Sequence, residues 1–308
     1  MIIYKYSKIF EEFFEFPALK LSQLKYLNDP FEEQISKEAI NQNILLHERS
    51  MGSRKRSFIA RIFHEQHLQN SIVKKGIISF SETPRNLLMW AHYADNHRGM
   101  VVGYLHDALD KIDSPYYIET DSTLPIKVNY DSIRYDNEKL LSLEKYSGKD
   151  THTLIKEVET MLLTTKGDEW IYEKEHRIIT ELNNFDTLKI KKEIAHKILP
   201  EENNKFIVHE RTTESWYIYN IPDSEIATRV KIVILILKHK INEEDCIFMR
   251  SVPESKIHSI HFGHRVTEEY VSKIKSMLSD EAHPLRNVRI EHYKISDQMY
   301  SLENRQSK

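Results

Sequence analysis

The stretch IISFSETPRNLLMWAHYADNHRGMVVGYL, residues 77–105, reads as strand, helix and strand. Ile77 to Ser81 mixes β-branched and aromatic residues as a strand does. Pro84 suits the first turn of a helix that runs to about Asn96. Met100 to Leu105 is a second strand. The spacing Ser79-Phe80-Ser81-x-x-Pro84, then Met89-Trp90-x-x-Tyr93-x-x-x-His97-x-Gly99, is the most distinctive in the chain. Met89 and Tyr93 are four apart and share one helix face. Trp90 falls on the neighbouring face with Leu87, Ala91 and Ala94, where it reads first as core. Tyr93, His92 and His97 carry polar tips, which suit a cleft wall as well as a packed interior.

Outward from this stretch, strands are expected at Ile2–Tyr6, Ile126–Tyr130, Arg177–Thr180, Phe206–Val208 and Trp216–Ile221. Val230–Leu237, nearly all β-branched and leucine, gives the strongest strand signal. Helices are expected at Lys8–Phe16, ended by Pro17, and over Glu138–Thr165 in two pieces split at Ser147-Gly148. Residues 33–75 form a long polar, mostly helical insertion, broken near Met51-Gly52-Ser53. Ile257–Phe262, Thr267–Ser279 and Asn287–Ile295 close the chain as β-α-β, about 257–295. About nine strands and five or six helices do not alternate regularly, which predicts an α+β fold on a mixed, mostly antiparallel sheet. No linker of Pro, Gly and Ser is visible, so residues 1–308 are expected to form a single domain.

Only seven of the 308 residues are glycine, against a usual roughly 7%. No two form a G-x-G pair, so the Gly-rich cradles for dinucleotides and nucleoside triphosphates are excluded. In so glycine-poor a chain, Gly76, Gly99, Gly167 and Gly263 are expected at turns with positive φ or at close backbone contacts. The net charge of −3 gives no bulk case for nucleic acid. A local basic stretch, Arg54-Lys55-Arg56 with Arg61, keeps that partner open. The apolar runs are too short to span a bilayer. One cysteine, Cys246, excludes internal disulfides and thiolate-rich zinc sites and points to a reducing, cytoplasmic setting.

Chemistry concentrates in three segments. In Lys166-Gly167-Asp168-Glu169-Trp170-Ile171-Tyr172-Glu173-Lys174-Glu175-His176-Arg177, the carboxylates Glu173 and Glu175 point the same way if the backbone is extended. Their repulsion would raise one pKa and leave the other ionised, as an acid/base or cation-stabilising pair needs. The plainer reading pairs them with Lys174 or Arg177 as surface charge, and E-x-E is a common pattern. Asn28-Asp29-Pro30-Phe31-Glu32 reads as a turn and helix cap whose carboxylates could also reach such a site. Sixteen histidines invite a metal reading. His64 and His67 share a helix turn, but His258, His261 and His264 alternate across a strand end and no H-E-x-x-H occurs, so no metal is expected. Cys246 falls in a polar helix with no histidine partner in sequence, which argues against a catalytic thiol. No G-x-S-x-G elbow supports a serine hydrolase.

Together, Tyr4-Lys5-Tyr6, Asn28 to Glu32, Phe80-Ser81, Met89 to Gly99 and Trp170 to Arg177 resemble a widespread bacterial family of unassigned function, over about residues 1–180. More distantly, the order of a first strand with a basic residue, a Ser-x-Ser strand and a later E-x-E is similar to the ADP-ribosyltransferase superfamily. That resemblance implies a split mixed sheet that holds NAD, as substrate, without a glycine loop. Ser79 and Ser81 would support the nicotinamide side, and Tyr4, Lys5, Tyr6, Tyr93 and Arg177 would complete the NAD site. Glu175 would stabilise the oxocarbenium ion and Glu173 would orient the acceptor. Asn28, Asp29, Glu32, Trp90, His97 and Trp170 are further cleft candidates. Lys5 stands where the superfamily usually has Arg or His. The implied function is an NAD-consuming effector, of toxin or phage-defence type, modifying nucleic acid or protein or hydrolysing NAD. Two alternatives stay open: a non-catalytic ligand-sensing or protein/nucleic-acid interaction module, and a metal-dependent nuclease using Asp29, Glu32, Glu173 and Glu175.

Overall fold

The computed structural model describes residues 1–32, 68–109, 122–134, 151–211 and 215–305, with residues 34, 36, 38, 41 and 66. These residues build an eight-stranded sheet, a five-stranded sheet and a two-stranded ladder. The first sheet runs in the order β15 (Leu302–Asn304), β14 (Arg289–Ile295), β13 (Ile257–Phe262), β4 (Met100–Leu105), β1 (Ile2–Ser7), β3 (Lys75–Ser81), β8 (Glu175–Glu181) and β5 (Ser122–Lys127). The second runs β10 (Ile207–Arg211), β11 (Trp216–Asn220), β9 (Thr187–Lys191), β12 (Cys246–Ser251) and β2 (Ala18–Lys20). β6 (Asn129–Tyr130) and β7 (Thr165–Lys166) form the ladder. Only β13–β14 and β6–β7 pair in parallel among the described residues; the other pairs are antiparallel. The fold is α+β on a mixed, mostly antiparallel sheet.

Five of the six residues of β4 are buried, as expected of a strand covered on both faces. β1 alternates. Ile3 enters the large core, which also takes Leu188, Ile190 and Phe248 from the second sheet. Tyr6, with Tyr4 beside it, packs on the opposite face against Trp90, Val101 and Tyr293.

The helices among the described residues include α1 (Glu12–Glu15), α2 (Leu87–Tyr93), α3 (Thr151–Leu163), α4 (Lys192–Ile198), α5 (Ile226–Lys238) and α6 (Glu268–Leu278). Val230–Leu237, expected as a strand, is the body of α5. Its buried residues Arg229, Ile232, Val233 and Ile236 recur at helical spacing, while Ile234 is 54% exposed. Burial of that stripe in the large core overrides the β-branched composition. Hydrogen bonds from Arg229 to the Ile221 carbonyl (2.9 Å) and Asp223 (2.6 Å) fix the first turn. Cys246 lies not in a helix but at the start of β12, buried opposite Ile190. The helix expected from Pro84 to Asn96 is shorter. Asn86 caps α2 by accepting from the Leu88 and Met89 amides (3.0 and 3.2 Å). Asp95, Asn96 and His97 then take left-handed φ values of 47°, 50° and 68° and turn the chain into β4. Of the helix expected over Lys8–Phe16, only α1 forms, burying Phe13 and Phe14.

At Gly99 and Gly263 it is close approach, not positive φ, that requires glycine. A Cβ would come within 2.2 Å of the Ser7 carbonyl oxygen and 2.1 Å of the His97 carbonyl oxygen, respectively. β13, α6 and β14 follow one another with β13 and β14 paired in parallel, and Thr267 caps α6. His258 and His261 fall on opposite faces of β13, the first exposed and the second buried between Ser259 and Glu291. Most of the stretch expected to be a helical insertion, including Met51-Gly52-Ser53, Arg54-Lys55-Arg56, Arg61, His64 and His67, lies outside the described residues. So does the first piece of Glu138–Thr165, with Ser147-Gly148. No helix among the described residues is long and apolar enough to cross a membrane.

One irregularity positions the site. β1 and β3 meet at a single bridge, Tyr4 opposite Ser81. Beyond it the edge of β3 pairs instead with Ser22, which exchanges two backbone hydrogen bonds with Ile77 (2.9 and 2.8 Å). The Ser79 carbonyl accepts from the Lys5 ammonium (2.9 Å). The sheet therefore parts between its first and third strands, and a cavity opens at the gap.

Candidate active site

The cavity has a volume of about 180 Å³. Tyr4, Lys5 and Tyr6 from β1, Ser79 from β3, Tyr93 from α2, and Glu173, Glu175 and Arg177 line it. Asn28 and Glu32 reach it from the N-D-P-F-E turn. Residues more than 140 positions apart in sequence thus share one wall because β1, β3 and β8 are consecutive in the sheet.

The carboxylates are not arranged by an extended E-x-E, as the sequence suggested. Glu173 ends a 3-10 turn, Lys174 adopts φ 46°, ψ 52°, and Glu175 begins β8. The left-handed Lys174 throws its own side chain outward and brings both flanking carboxylates onto the same ammonium. Lys166 Nζ lies 2.7 Å from Glu173, 3.3 Å from Glu175 and 3.4 Å from Glu32. Arg177 grips Glu175 with two bonds, Nε to Oε1 (2.7 Å) and Nη2 to Oε2 (2.9 Å). It also donates to Glu32 Oε1 (2.8 Å) and to the Leu163 carbonyl (2.8 Å). These side chains are 5% exposed or less.

Three buried carboxylates share two cations here, and their environments separate them. Burial pushes Glu173 above the ordinary carboxylate range, against the pull of Lys166 and of a short hydrogen bond from the Tyr93 hydroxyl. Burial acts the same way on Glu175, but the Arg177 guanidinium, Lys166 and the Ser79 hydroxyl outweigh it and hold the group at about 2. Both carboxylates are equally buried, so their opposite displacements come from the Arg177 grip on Glu175 more than from burial or mutual repulsion. Burial and the Glu173 charge push the Tyr93 phenol up. Burial would lower Lys166, but the three carboxylates raise it.

Around this centre the backbone is held tightly. Ser81 does not line the cavity; it is fully buried and donates to the Glu173 carbonyl (2.7 Å). Tyr130 Oη accepts from the Glu175 amide (2.8 Å). Asn86 Nδ2 donates to the Tyr172 carbonyl (2.6 Å), and Tyr6 Oη donates to the Thr83 carbonyl (2.7 Å). Asp29 serves its turn, accepting from the Phe31 amide (2.9 Å). Trp90 is core, its Nε1 donating to the Pro84 carbonyl (2.8 Å). His97 stacks on Trp90 rather than reaching the cavity. Trp170 stands behind Lys166, whose ammonium lies 4.6 Å from the ring centroid.

Lys166 is the main residue that sequence reasoning did not assign. A lone lysine before a glycine has no periodic signature, and the two-residue ladder β6–β7 that aims it has no local signal either. Ser22, Tyr26 and Leu27 also line the cavity, and their segment is placed by the Ser22–Ile77 bridge.

A family model described as "Protein of unknown function (DUF2971)" matches residues 89–178. That match spans α2 to β8 and so includes Tyr93, Lys166, Glu173, Glu175 and Arg177. A search of curated proteins and a search of solved structures returned no match.

Proposed function

We propose that this cavity breaks an N-glycosidic bond, with NAD as the substrate, and releases nicotinamide to water or to a nucleic-acid or protein acceptor. The observation that carries the reading is the pair Glu173 and Glu175, side by side on one wall with opposite pKa displacements. As the anomeric C–N bond breaks, its electron pair leaves with nicotinamide and positive charge develops on the ribose. The ionised Glu175, held low by Arg177, stabilises that charge. Glu173 takes the proton of the attacking water or acceptor hydroxyl, with Tyr93 completing its hydrogen bonding. A cavity of about 180 Å³ suits one ring-sized group and not a whole dinucleotide, which fits the reacting end of NAD. The parted sheet and the Ser-x-Ser and E-x-E segments also support the ADP-ribosyltransferase resemblance, which in turn suggests a cytoplasmic effector of toxin or phage-defence type.

Purified protein incubated with nicotinamide-labelled NAD should release nicotinamide. Glu175→Gln should remove at least about 99% of the rate, the usual scale for loss of one transition-state electrostatic partner. No release by the wild type, across acceptors, counts against the reading.

One observation favours a second reading. The two-bond grip of Arg177 on Glu175 is what a fixed ligand-binding wall would also use. NAD binding seen by calorimetry without any turnover would select that non-catalytic module. The metal-dependent nuclease would have to place a divalent cation beside the Lys166 and Arg177 charges, and Asp29, one of its carboxylates, is engaged by the Phe31 amide.

A further inference from the structure

Lys5 projects from β1 into the gap where β1 and β3 part, and lines the same cavity. Its ammonium makes one hydrogen bond, to the neutral Ser79 carbonyl (2.9 Å). No carboxylate among the described residues pairs with it. The charged groups that face it are Lys20, Glu243, Glu175 and Arg177. Both carboxylates in that set are already taken. Glu243 is held by Lys20 (2.5 Å) and by the Gln23 amide (3.1 Å). Glu175 is held by Arg177 and Lys166. Lys5 is therefore a half-buried amine, flanked by two cations and without a counter-ion among the described residues. Lysines that form covalent intermediates are activated by such surroundings, through desolvation or a neighbouring positive charge.

From this placement we infer that Lys5 is a covalent attachment point for a small carbonyl compound, an aldehyde or ketone, including the open-chain form of a reducing sugar. The inference goes beyond the glycosidic reading and stands without it. The Nζ lone pair attacks the carbonyl carbon, a C–N bond forms, and the C=O π pair moves to oxygen. A proton passes from nitrogen to that oxygen to give the carbinolamine. The hydroxyl then leaves as water, taking a proton from solvent in the cavity, while the nitrogen lone pair closes the C=N bond. The iminium nitrogen then returns one proton to solvent, so no net proton is consumed. Aldehyde and amine give imine and water, with no oxidant or reductant. Burial lowers Lys5 to about 8, so its free-base fraction at pH 8 exceeds that of an ordinary lysine by on the order of a hundredfold.

The test uses the intact chain with glycolaldehyde and cyanoborohydride, which traps any imine as a stable secondary amine, followed by peptide mass mapping. Lys5 should be modified at least about tenfold faster than exposed lysines such as Lys240, with a half-maximal rate near pH 8. Lys5→Arg should lose this fast phase and leave the slow labelling of other lysines unchanged. Labelling of Lys5 no faster than exposed lysines overturns the inference, and the wild-type map alone decides this. Because no NAD is present, the outcome is separate from that of the nicotinamide assay.

Discussion

Lys166→Met removes the one ammonium shared by Glu32, Glu173 and Glu175 and keeps an apolar stem of similar length. Lys166 is 5% exposed and lies 2.7, 3.3 and 3.4 Å from the three carboxylates. Removing one partner from a buried pair costs about 3–5 kcal/mol, because the other charge is left uncompensated. Two features place this case at the low end. Arg177 still neutralises Glu175 and Glu32, and Glu173, already displaced upward by burial, can take a proton. The expected loss is about 3 kcal/mol at pH 7. The sign of its pH dependence follows from Glu173. A carboxyl whose folded pKa is raised is most stable when protonated and destabilises the fold as pH rises through that pKa. Without Lys166 this displacement grows, so the deficit should shrink as pH falls from 7 to 5. Urea unfolding followed by far-UV circular dichroism at both pH values reads it directly. A deficit below about 1 kcal/mol, or one equal at the two pH values, would refute the claim that Lys166 neutralises a buried cluster.

Two other predictions concern the fold and its acid limit. Ile232→Ala should cost about 2–5 kcal/mol while Ile234→Ala stays within about 0.5, since a helix buries the first and exposes the second; equal losses would restore the strand reading of α5. Glu175, lowered from an ordinary 4.5 to about 2, contributes stability that is present above pH 4.5 and is lost as pH falls toward 2. That share is about 3 kcal/mol, and an acid unfolding profile that is the same for the wild type and Glu175→Gln would contradict it.

The sequence was most legible where local pattern and packing agree. β1, β3, β4 and the closing β-α-β are legible because short runs of β-branched and aromatic residues and a capped helix carry their own signals. Glu173, Glu175, Arg177 and Tyr93 could be singled out because they lie in dense, distinctive segments. α5 was misread because a β-branched run satisfies strand propensity, and only its packing partners reveal that every third or fourth residue is covered. The conformation between the two glutamates was misread for a similar reason. A left-handed lysine leaves no mark in composition, and the ammonium that both carboxylates share comes from a two-residue strand. Trp90 and His97 have cleft-like chemistry in sequence, yet packing puts Trp90 in the interior and sets the half-buried His97 against it, away from the cavity.

The proposed glycosidic chemistry depends on the two carboxylates ionising far apart within one cavity. Side-chain carbon chemical shifts of Glu173 and Glu175, followed by NMR from pH 2 to pH 8 and assigned with Glu173→Gln and Glu175→Gln, measure this directly. The account predicts that Glu175 stays ionised down to about pH 2 and that Glu173 releases its proton above the ordinary range near 4.5. Two titrations that overlap near 4.5 would contradict it.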